Sequence, residues 1–238
     1  MKVLSIDSST ASASCAVLED NKLLGEITFN DKKQHSVILM PQIDTLLKNL
    51  KLTLNDIDGF VVSKGPGSFT GLRIGIATVK GLAQGTDKPF IGISTLDALA
   101  YNLAYTSGII CPIMDALRDN VYTALYTFNN HKLQQLTDYT AIHIDDLISI
   151  LKAQNEKNIS FIGDGIPKFR EKLSNEFENI FFAPPHLNVA KASSLGELGL
   201  LKLKEGESDN ILSFAPIYIR KSQAEREYEK KTGMSINE

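Results

Sequence analysis

The sequence lacks several features that would place it in a specialised class of proteins. It has no tryptophan and only two cysteines, Cys15 and Cys111, each within an apolar run. Neither belongs to a CxxC pair, so a zinc or dithiol motif of that type is excluded, and we expect buried thiols in a reducing compartment. No apolar stretch approaches the about eighteen residues of a membrane span. The N-terminal MKVLSIDSST has the pattern of a first β-strand rather than a signal peptide, and we expect a cytoplasmic protein without membrane contact.

An excess of positive charge is also missing. The 25 Lys and Arg residues against 28 Asp and Glu give a net charge of −3 and a sequence pI near 5.9. That balance argues against a dedicated nucleic-acid-binding surface. Any RNA in the function is therefore expected to be held mainly by another protein. With 238 residues and 43% hydrophobic content, the chain can form one large domain or two small lobes.

Catalytic motifs are missing as well. HxxxH and HExxH do not occur, and His131, His143 and His186 are scattered without ligand spacing. No Ser/His/Asp or Cys/His set is recognisable. The hypothesis that the protein is a peptidase therefore has neither a nucleophile with its base nor a pair of metal ligands to support it. His35 precedes an apolar helix, where a cap or a polar interface residue is expected.

Hydrophobic patterning predicts an alternation of strands and helices. In the first half, strands are predicted at 2–7, 14–18, 22–29, 60–63 and 90–93, and helices at 35–50, 70–85 and 96–105. In the second half, strands are predicted at 109–114, 121–128, near 133 and at 159–162, and helices at 144–153, 167–173 and 190–204. Each half thus reads strand-strand-strand-helix-strand-helix.

The two halves also resemble each other in sequence. In the first half, Ala16-Val17 follows Ile6-Asp7; in the second half, Ala124-Leu125 follows Met114-Asp115 at the same spacing. Residues 60–66 likewise parallel residues 161–167. The shared order suggests an internal duplication. The predicted fold is α/β, a duplicated actin-like (ASKHA) fold with two lobes, each a mixed sheet flanked by helices. The lobes span 1–105 and 106–220, and a charged tail, 221–238, is expected to be a solvated helix or disordered.

A degenerate nucleotide cleft is predicted between the lobes. Hydroxyls and backbone N–H groups at the β-hairpins of an actin-like fold can bind phosphate, and an acid there can orient a metal ion or water. The candidates are Asp7, Ser8, Ser9 and Thr10 in the first lobe, and Asp115, Gly163, Asp164 and Gly165 in the second. Simple turn chemistry is the alternative. The first loop has no glycine, which makes close approach to a phosphate harder.

The segment GPGSFTGLRIG at 65–75 carries a strand through a sharp turn into a helix, with Ser68 or Thr70 as the cap. It matches neither a P-loop nor a dinucleotide fingerprint. Gly71, Gly75, Thr78, Leu82 and Gly85 fall on one face of the helix. Each interior glycine costs about 1 kcal/mol relative to alanine, so another backbone is expected to approach closely. That backbone belongs either to the chain's own sheet or to a second protein.

The second possibility leads to a hypothesis about a docking face made by the helices at 35–50 and 70–85. Met40 and Leu47 form a second apolar edge on the first helix, and the glycine groove lies on the second helix. The predicted interface residues are His35, Met40, Leu47, Gly71, Arg73, Gly75, Thr78 and Leu82.

Several motifs together resemble the TsaB (YeaZ) family. They are IDSST, HSVILMP at 35–41, GPGSFTGLRIG at 65–75, MDALRDNVYTALY at 114–126, GDG at 163–165 and Pro216-x-Tyr218-x-Arg220. The resemblance runs from residue 1 to about 220. It departs from the family in the second hairpin, where Leu117 and Asn120 replace the family's Arg and Glu.

The resemblance implies a non-catalytic subunit that pairs with a larger homologue, TsaD, which carries the metal histidines and the transfer chemistry. A TsaE-like ATPase joins them, and the complex transfers a threonylcarbamoyl group to the adenosine beside the anticodon of tRNAs reading codons that begin with A. This chain would need no cofactor; ATP or ADP and a metal ion would sit on partner subunits. It would contact tRNA only through the complex, and could form a homodimer alone. The alternative is a free-standing actin-like ATPase or small-molecule kinase, which would need a more glycine-rich phosphate loop.

Overall fold

The structure, a computed structural model, describes residues 1–30, 35–154 and 158–220, with Tyr228 and Thr232. Its strands are Lys2–Asp7 (β1), Ala13–Glu19 (β2), Lys22–Phe29 (β3), Gly59–Ser63 (β4), Phe90–Ile93 (β5), Ile109–Pro112 (β6), Met114–Asp115 (β7), Asn120–Thr123 (β8), Tyr126–Asn129 (β9), Lys132–Gln135 (β10), Thr140–His143 (β11), Ile159–Ile162 (β12) and Ile180–Phe182 (β13). Its α-helices are His35–Leu50 (α1), Phe69–Thr86 (α2), Thr95–Tyr101 (α3), Ile144–Ala153 (α4), Ile166–Glu176 (α5) and Ala192–Lys204 (α6).

Two five-stranded sheets repeat the same topology. The first has the order β3-β2-β1-β4-β5 and the second β10-β9-β6-β12-β13. In the first, the central strand β1 is antiparallel to β2 and parallel to β4. In the second, β6 is antiparallel to β9 and parallel to β12. This repetition confirms the duplicated actin-like arrangement that the sequence predicted.

Side-chain alternation along the strands gives each sheet two apolar faces. On the first sheet, Leu4, Ile6 and Val62 pack with α1 and α2 in one core, whereas Val3 and Val61 pack with α6 in another. On the second sheet, α4 and α5 cover one face and α3 covers the other. Both sheets are therefore buried on both faces.

The covering helices α3 and α6 are exchanged between the halves of the chain. Leu96 and Leu99 of α3 pack with Ile110 of the second sheet, and α6 packs on the first sheet, where Ser5 Oγ donates to Ala192 O at 2.5 Å. The predicted lobes followed chain order alone. By packing, α3 belongs to the second sheet and α6 to the first.

The second half differs from the predicted strands because a small third sheet, in the order β11-β8-β7, separates from the main one. The predicted strands 109–114 and 121–128 are each divided in two for this reason, and β11 and β13 were not predicted. The predicted helix 96–105 ends at Tyr101. The tail 221–238 lies outside the described residues, apart from Tyr228 and Thr232.

Both cysteines are buried and free, as predicted. Burial raises the pKa of Cys15 to about 12, and burial likewise raises the pKa of Cys111 to about 12. Such thiols are inert hydrophobic groups. Within the described part of the chain, no helix combines the length and the apolar character that a membrane crossing requires.

Candidate functional site: the cleft between the sheets

A cavity of 780 Å³ lies between the two halves of the molecule. The first half contributes the hairpin residues Ser9 and Thr10, His35 and the start of α2. The second half contributes Asp115 and Asp164. A neighbouring cavity of 380 Å³ is lined by Thr10, Gly163, Asp164 and residues of α5. The fold therefore brings part of each predicted set to one place: Ser9 and Thr10 of the first, and Asp115, Gly163 and Asp164 of the second.

The start of the first hairpin faces inward, away from this cavity. Asp7, Ser8 and Ser9 are fully buried, and Asp7 and Ser8 line neither cavity. Asp7 Oδ1 accepts hydrogen bonds from the backbone N–H of Ser9 at 2.9 Å and from its hydroxyl at 2.8 Å. Burial raises the pKa of Asp7, although these hydrogen bonds and the nearby His35 oppose the shift. These bonds are the turn chemistry that the sequence offered as the alternative, and they use one oxygen of Asp7; Oδ2 is buried without a hydrogen-bond partner among the described residues.

The glycines of the 65–75 segment hold this hairpin. A β-carbon on Gly67 would overlap the carbonyl oxygen of Ser9. A β-carbon on Gly71 would overlap the carbonyl oxygen of Ser8, and one on Gly75 would overlap the hydroxyl oxygen of Ser8. Ser68 N donates to Ser9 O at 2.6 Å, and Ser8 Oγ donates to Gly71 O at 2.8 Å. The hypothesis that Gly71 and Gly75 form a groove for a second protein is wrong, because their own chain already occupies it.

Leu47 is a second correction to the predicted docking face. Its side chain is only 7% exposed and belongs to the core formed with the first sheet. The apolar stripe of α1 is wide enough to include it, because residues at i, i+3, i+4, i+7 and i+8 share a buried helix face. Leu82 is half-buried and packs against the same core, and Thr78 is half-buried.

Other residues of the predicted face are exposed or lie at the cleft. Met40 is 47% exposed. His35, the first residue of α1, has Nε2 3.1 Å from Ser12 O and also lines the cleft. The exposed Arg73 places its guanidinium 4.1 Å above the ring of Phe69 and donates to the hydroxyl of Tyr218 at 3.1 Å.

The second hairpin is tightly wound. Leu117, Arg118 and Asp119 have φ values of 64°, 54° and 58°. This left-handed conformation costs non-glycine residues roughly 1–2 kcal/mol each. Asp115 Oδ1 accepts from Leu117 N at 3.0 Å, and Lys168 Nζ lies 3.3 Å from both Asp115 and Asp119. The Asp115 carboxylate, like that of Asp7, is thus engaged with its own loop.

The Gly163-Asp164-Gly165 turn is also shaped by packing. Gly163 has a φ of 118°, and a β-carbon on it would overlap the carbonyl oxygen of Ile113. Gly165 N donates to the same oxygen at 3.0 Å, and Asp164 Oδ1 accepts from Asp115 N at 3.0 Å. Gly163 and Gly165 therefore allow close contact with Ile113, which connects β6 to β7. This packing explains both glycines without a bound ligand.

Sequence reasoning did not anticipate the role of the segment 217–220. Ile217 N donates to Lys64 O at 2.7 Å, and the ring of Tyr218 stacks on Phe69 at 4.2 Å. Arg220 donates to the carbonyl oxygens of Ala116 and Leu117 in the second hairpin. The segment thus bridges the two halves across the cleft. No periodicity marks it; the family motif around Tyr218 and Arg220 was the one available signal.

Several polar groups at or near the cleft are already bonded within the chain. Over the ranges 1–30, 35–154 and 158–220, no group of three or more His, Cys, Asp and Glu side chains is placed to hold a metal ion. The hydroxyls of Ser8 and Ser9 are donated to Gly71 and Asp7. Thr10 lies at the cavity, but its hydroxyl is 2.8 Å from that of Ser12.

Comparisons with known proteins agree with this architecture. A crystal structure of a Pseudomonas aeruginosa protein described as similar to YeaZ matches with a TM-score of 0.79 at 23% identity, over 92% of this chain and 99% of that one. A second YeaZ structure from Pseudomonas aeruginosa matches with a TM-score of 0.75 at 22% identity, over 91% of this chain and 99% of that one. At these identities the likeness establishes the fold.

Sequence comparison is more specific. The family described as "TsaD: tRNA N6-adenosine threonylcarbamoyltransferase" matches residues 22–228. The tRNA threonylcarbamoyladenosine biosynthesis protein TsaB of Bacillus subtilis (strain 168) is 32% identical over 96% of this chain and 98% of its own length. TsaB of Escherichia coli (strain K12) is 25% identical over 94% and 96%. The chain belongs to the TsaB (YeaZ) family.

Proposed function

We propose that this chain acts in the formation of N6-threonylcarbamoyladenosine in tRNA as a non-catalytic subunit paired with a larger, TsaD-type homologue. The observation that carries the non-catalytic part is the closed first hairpin. Oδ1 of its carboxylate and two of its hydroxyls are bonded within the chain, where an actin-like ATPase needs groups that face a phosphate. The membership of the TsaB family supports the tRNA modification.

The finer assignments follow from the same proposal. The complex modifies the adenosine beside the anticodon of tRNAs reading codons that begin with A, and a TsaE-like ATPase takes part. ATP or ADP and the metal ion are held by the partner subunits, and this chain meets tRNA only within the complex. The net charge of −3 agrees with that division, since tight RNA binding depends on Lys and Arg contacts to phosphate.

The docking surface for the larger homologue is proposed on the exposed side of α1, with the start of α2 beside it. His35, Met40 and Arg73 remain the candidate contacts from the predicted face. Val37, which is 63% exposed, joins them. In the absence of the partner, the same surface supports a homodimer.

Reconstitution tests the proposal. Purified chain is mixed with the TsaD-family and TsaE-family proteins of the same organism, threonylcarbamoyl-adenylate, ATP and an unmodified tRNA. Modified nucleoside is expected with all components present and a large loss on omission of this chain. ATP turnover by the isolated chain that disappears in Asp115→Ala would instead favour a free-standing ATPase or kinase.

A further inference from the structure

Three buried side-chain oxygens at one edge of the first sheet lack a hydrogen-bond partner. They are Asp7 Oδ2, Ser63 Oγ and Thr95 Oγ1, and none of them is bonded to a residue in the described part of the chain. The three residues are at most 1% exposed. Buried polar atoms in folded proteins are nearly always bonded. Three exceptions in one region therefore call for a shared explanation.

Strand pairing brings Asp7 and Ser63 side by side. They are the last residues of β1 and β4, which run parallel with Ile6 opposite Val62. Side chains alternate between the two faces of a strand. Because Ile6 and Val62 pack with α1 and α2, Asp7 and Ser63 lie on the opposite face of the sheet, which α6 covers.

Thr95 reaches the same place from the next strand. Ser63 is paired with Ile93 of β5, and Thr95 follows two residues later as the first residue of α3. Thr95 N donates to Gly65 O at 3.0 Å, just beyond the end of β4. Since α3 packs on the second sheet, Asp7, Ser63 and Thr95 together form a joint between the two halves of the molecule.

Asp7 and Ser63 are close to each other without being bonded. Burial raises the pKa of Asp7, and hydrogen bonds from Ser9 and the neighbouring Ser63 hydroxyl oppose that shift. The hydroxyl is therefore near enough to interact with the carboxyl, yet neither Ser63 Oγ nor Asp7 Oδ2 has hydrogen-bond geometry to any described residue. A small polar molecule between the two groups would bond both.

Water is the ligand that fits the joint. A water molecule donates two hydrogen bonds and accepts two, and buried waters typically make about three. A hydroxyl both donates and accepts, and a carboxyl bonds to water in either protonation state. Water also has a nearby source, because Ser9 and Pro66, close in the chain to Asp7 and Ser63, line the cavity of 780 Å³.

We propose that Asp7 Oδ2, Ser63 Oγ and Thr95 Oγ1 bind one buried water molecule, which links the first sheet to the start of α3. The water is a fixed part of the joint between the two halves. It satisfies three oxygens whose burial would otherwise cost stability. The inference does not depend on the proposed function, since it concerns how the two halves are held together.

The proposal predicts the sign of two substitutions. Thr95→Val keeps the shape of the side chain, and Ser63→Ala removes only the hydroxyl. If each oxygen were unpaired, its removal would raise Tm. Because each bonds the shared water, its removal should instead lower Tm by about 2–4 °C. Thr123→Val is the matched control, at a buried hydroxyl of the third sheet that lies 3.7 Å from Cys111 Sγ.

A double variant tests whether the water is shared. Once Ser63→Ala has displaced the water, Thr95→Val removes an oxygen that has already lost its partner. The double variant should therefore lose less Tm than the sum of the single changes. Ser63→Ala combined with Thr123→Val should lose the full sum, because Thr123 lies in a different sheet.

The test is thermal unfolding of wild type, the three single variants and the two double variants, together with a high-resolution crystal structure of the wild-type chain. Electron density for a water within about 3.2 Å of all three oxygens is expected. A rise in Tm for Ser63→Ala or for Thr95→Val overturns the proposal. A fall for Ser63→Ala alone does so too, by assigning Ser63 to a direct bond with Asp7. Additive losses in the Ser63→Ala/Thr95→Val variant, or a dry joint in the crystal, also overturn it.

Discussion

Gly71 of α2 lies against Ser8 of the first hairpin, with no room for a side chain between them. A β-carbon on Gly71 would overlap the Ser8 carbonyl oxygen, and the Ser8 hydroxyl donates to the Gly71 carbonyl at 2.8 Å. The hairpin and the start of α2 are consequently one packed unit. The close backbone approach that the glycines suggested exists, and it lies within the chain.

Gly71→Ala should destabilise the fold. Its methyl group must displace backbone rather than a flexible side chain, and overpacking of this kind costs about 1–3 kcal/mol. Gly81→Ala is the matched control on the same helix, because a β-carbon there meets nothing within 4 Å. Alanine at that position should stabilise the chain by about 0.5–1 kcal/mol. Urea unfolding followed by circular dichroism measures both, and equal stability of the two variants would contradict the packing described.

Met40→Asp and Leu47→Asp should separate docking from folding. Met40 is 47% exposed, so a carboxylate there leaves the fold intact and weakens pairing with the TsaD-family protein by about tenfold or more. Leu47 is 7% exposed, and a buried unpaired charge should prevent stable folding. Thermal unfolding and calorimetric titration distinguish the two effects. Unchanged pairing by Met40→Asp would move the docking face away from α1.

Arg220→Ala should loosen the connection between the two halves. Hydrogen bonds from a charged donor to Ala116 O and Leu117 O hold the left-handed turn, and their loss should cost about 1–3 kcal/mol. Faster amide hydrogen exchange is expected across residues 115–120. Arg118→Ala removes an exposed cation of the same turn and should have little effect. Equal exchange in both variants would mean that Arg220 does not hold the turn.

Asp7→Asn should change how stability depends on pH. Burial raises the pKa of Asp7 above its usual 3.8. At a pH between 3.8 and the pKa of Asp7 in the folded protein, the folded protein therefore binds a proton that the unfolded chain has released. Stability from this group is therefore full below 3.8 and lost as pH rises through the folded pKa. Asparagine still accepts from Ser9 and does not titrate.

The comparison of wild type with Asp7→Asn isolates this one carboxyl, because the other acids are present in both chains. The variant should gain relative to wild type at neutral pH, and the gain should shrink as the pH approaches 3.8. Urea unfolding at a series of pH values measures the difference. A difference that stays constant, or that grows in acid, would show that the folded chain does not favour the protonated form of Asp7.

The sequence determined many elements of the fold and their repetition. Strands β1, β3, β5 and β12 and helices α1 and α4 begin and end where apolar periodicity and turn residues predict. Local pattern suffices for these elements because the helices bury one continuous apolar stripe, whereas the strands are short runs, mostly apolar, that are bounded by turn residues. The repeated order of apolar runs likewise predicted the duplication, and specific motifs such as GPGSFTGLRIG identified the family.

Tertiary structure alone decided what those motifs contact. A glycine stripe shows that a backbone comes close, but not which backbone; here it is Ser8 and Ser9, more than fifty residues earlier in the chain. The position of Leu47 was undecided for the same reason. An apolar residue at that place on α1 fits the protein's own core and an interface with a second protein equally well. The exchange of α3 and α6 and the bridge from Tyr218 and Arg220 join residues far apart in sequence. Such contacts depend on how whole sheets are covered, which no local pattern encodes.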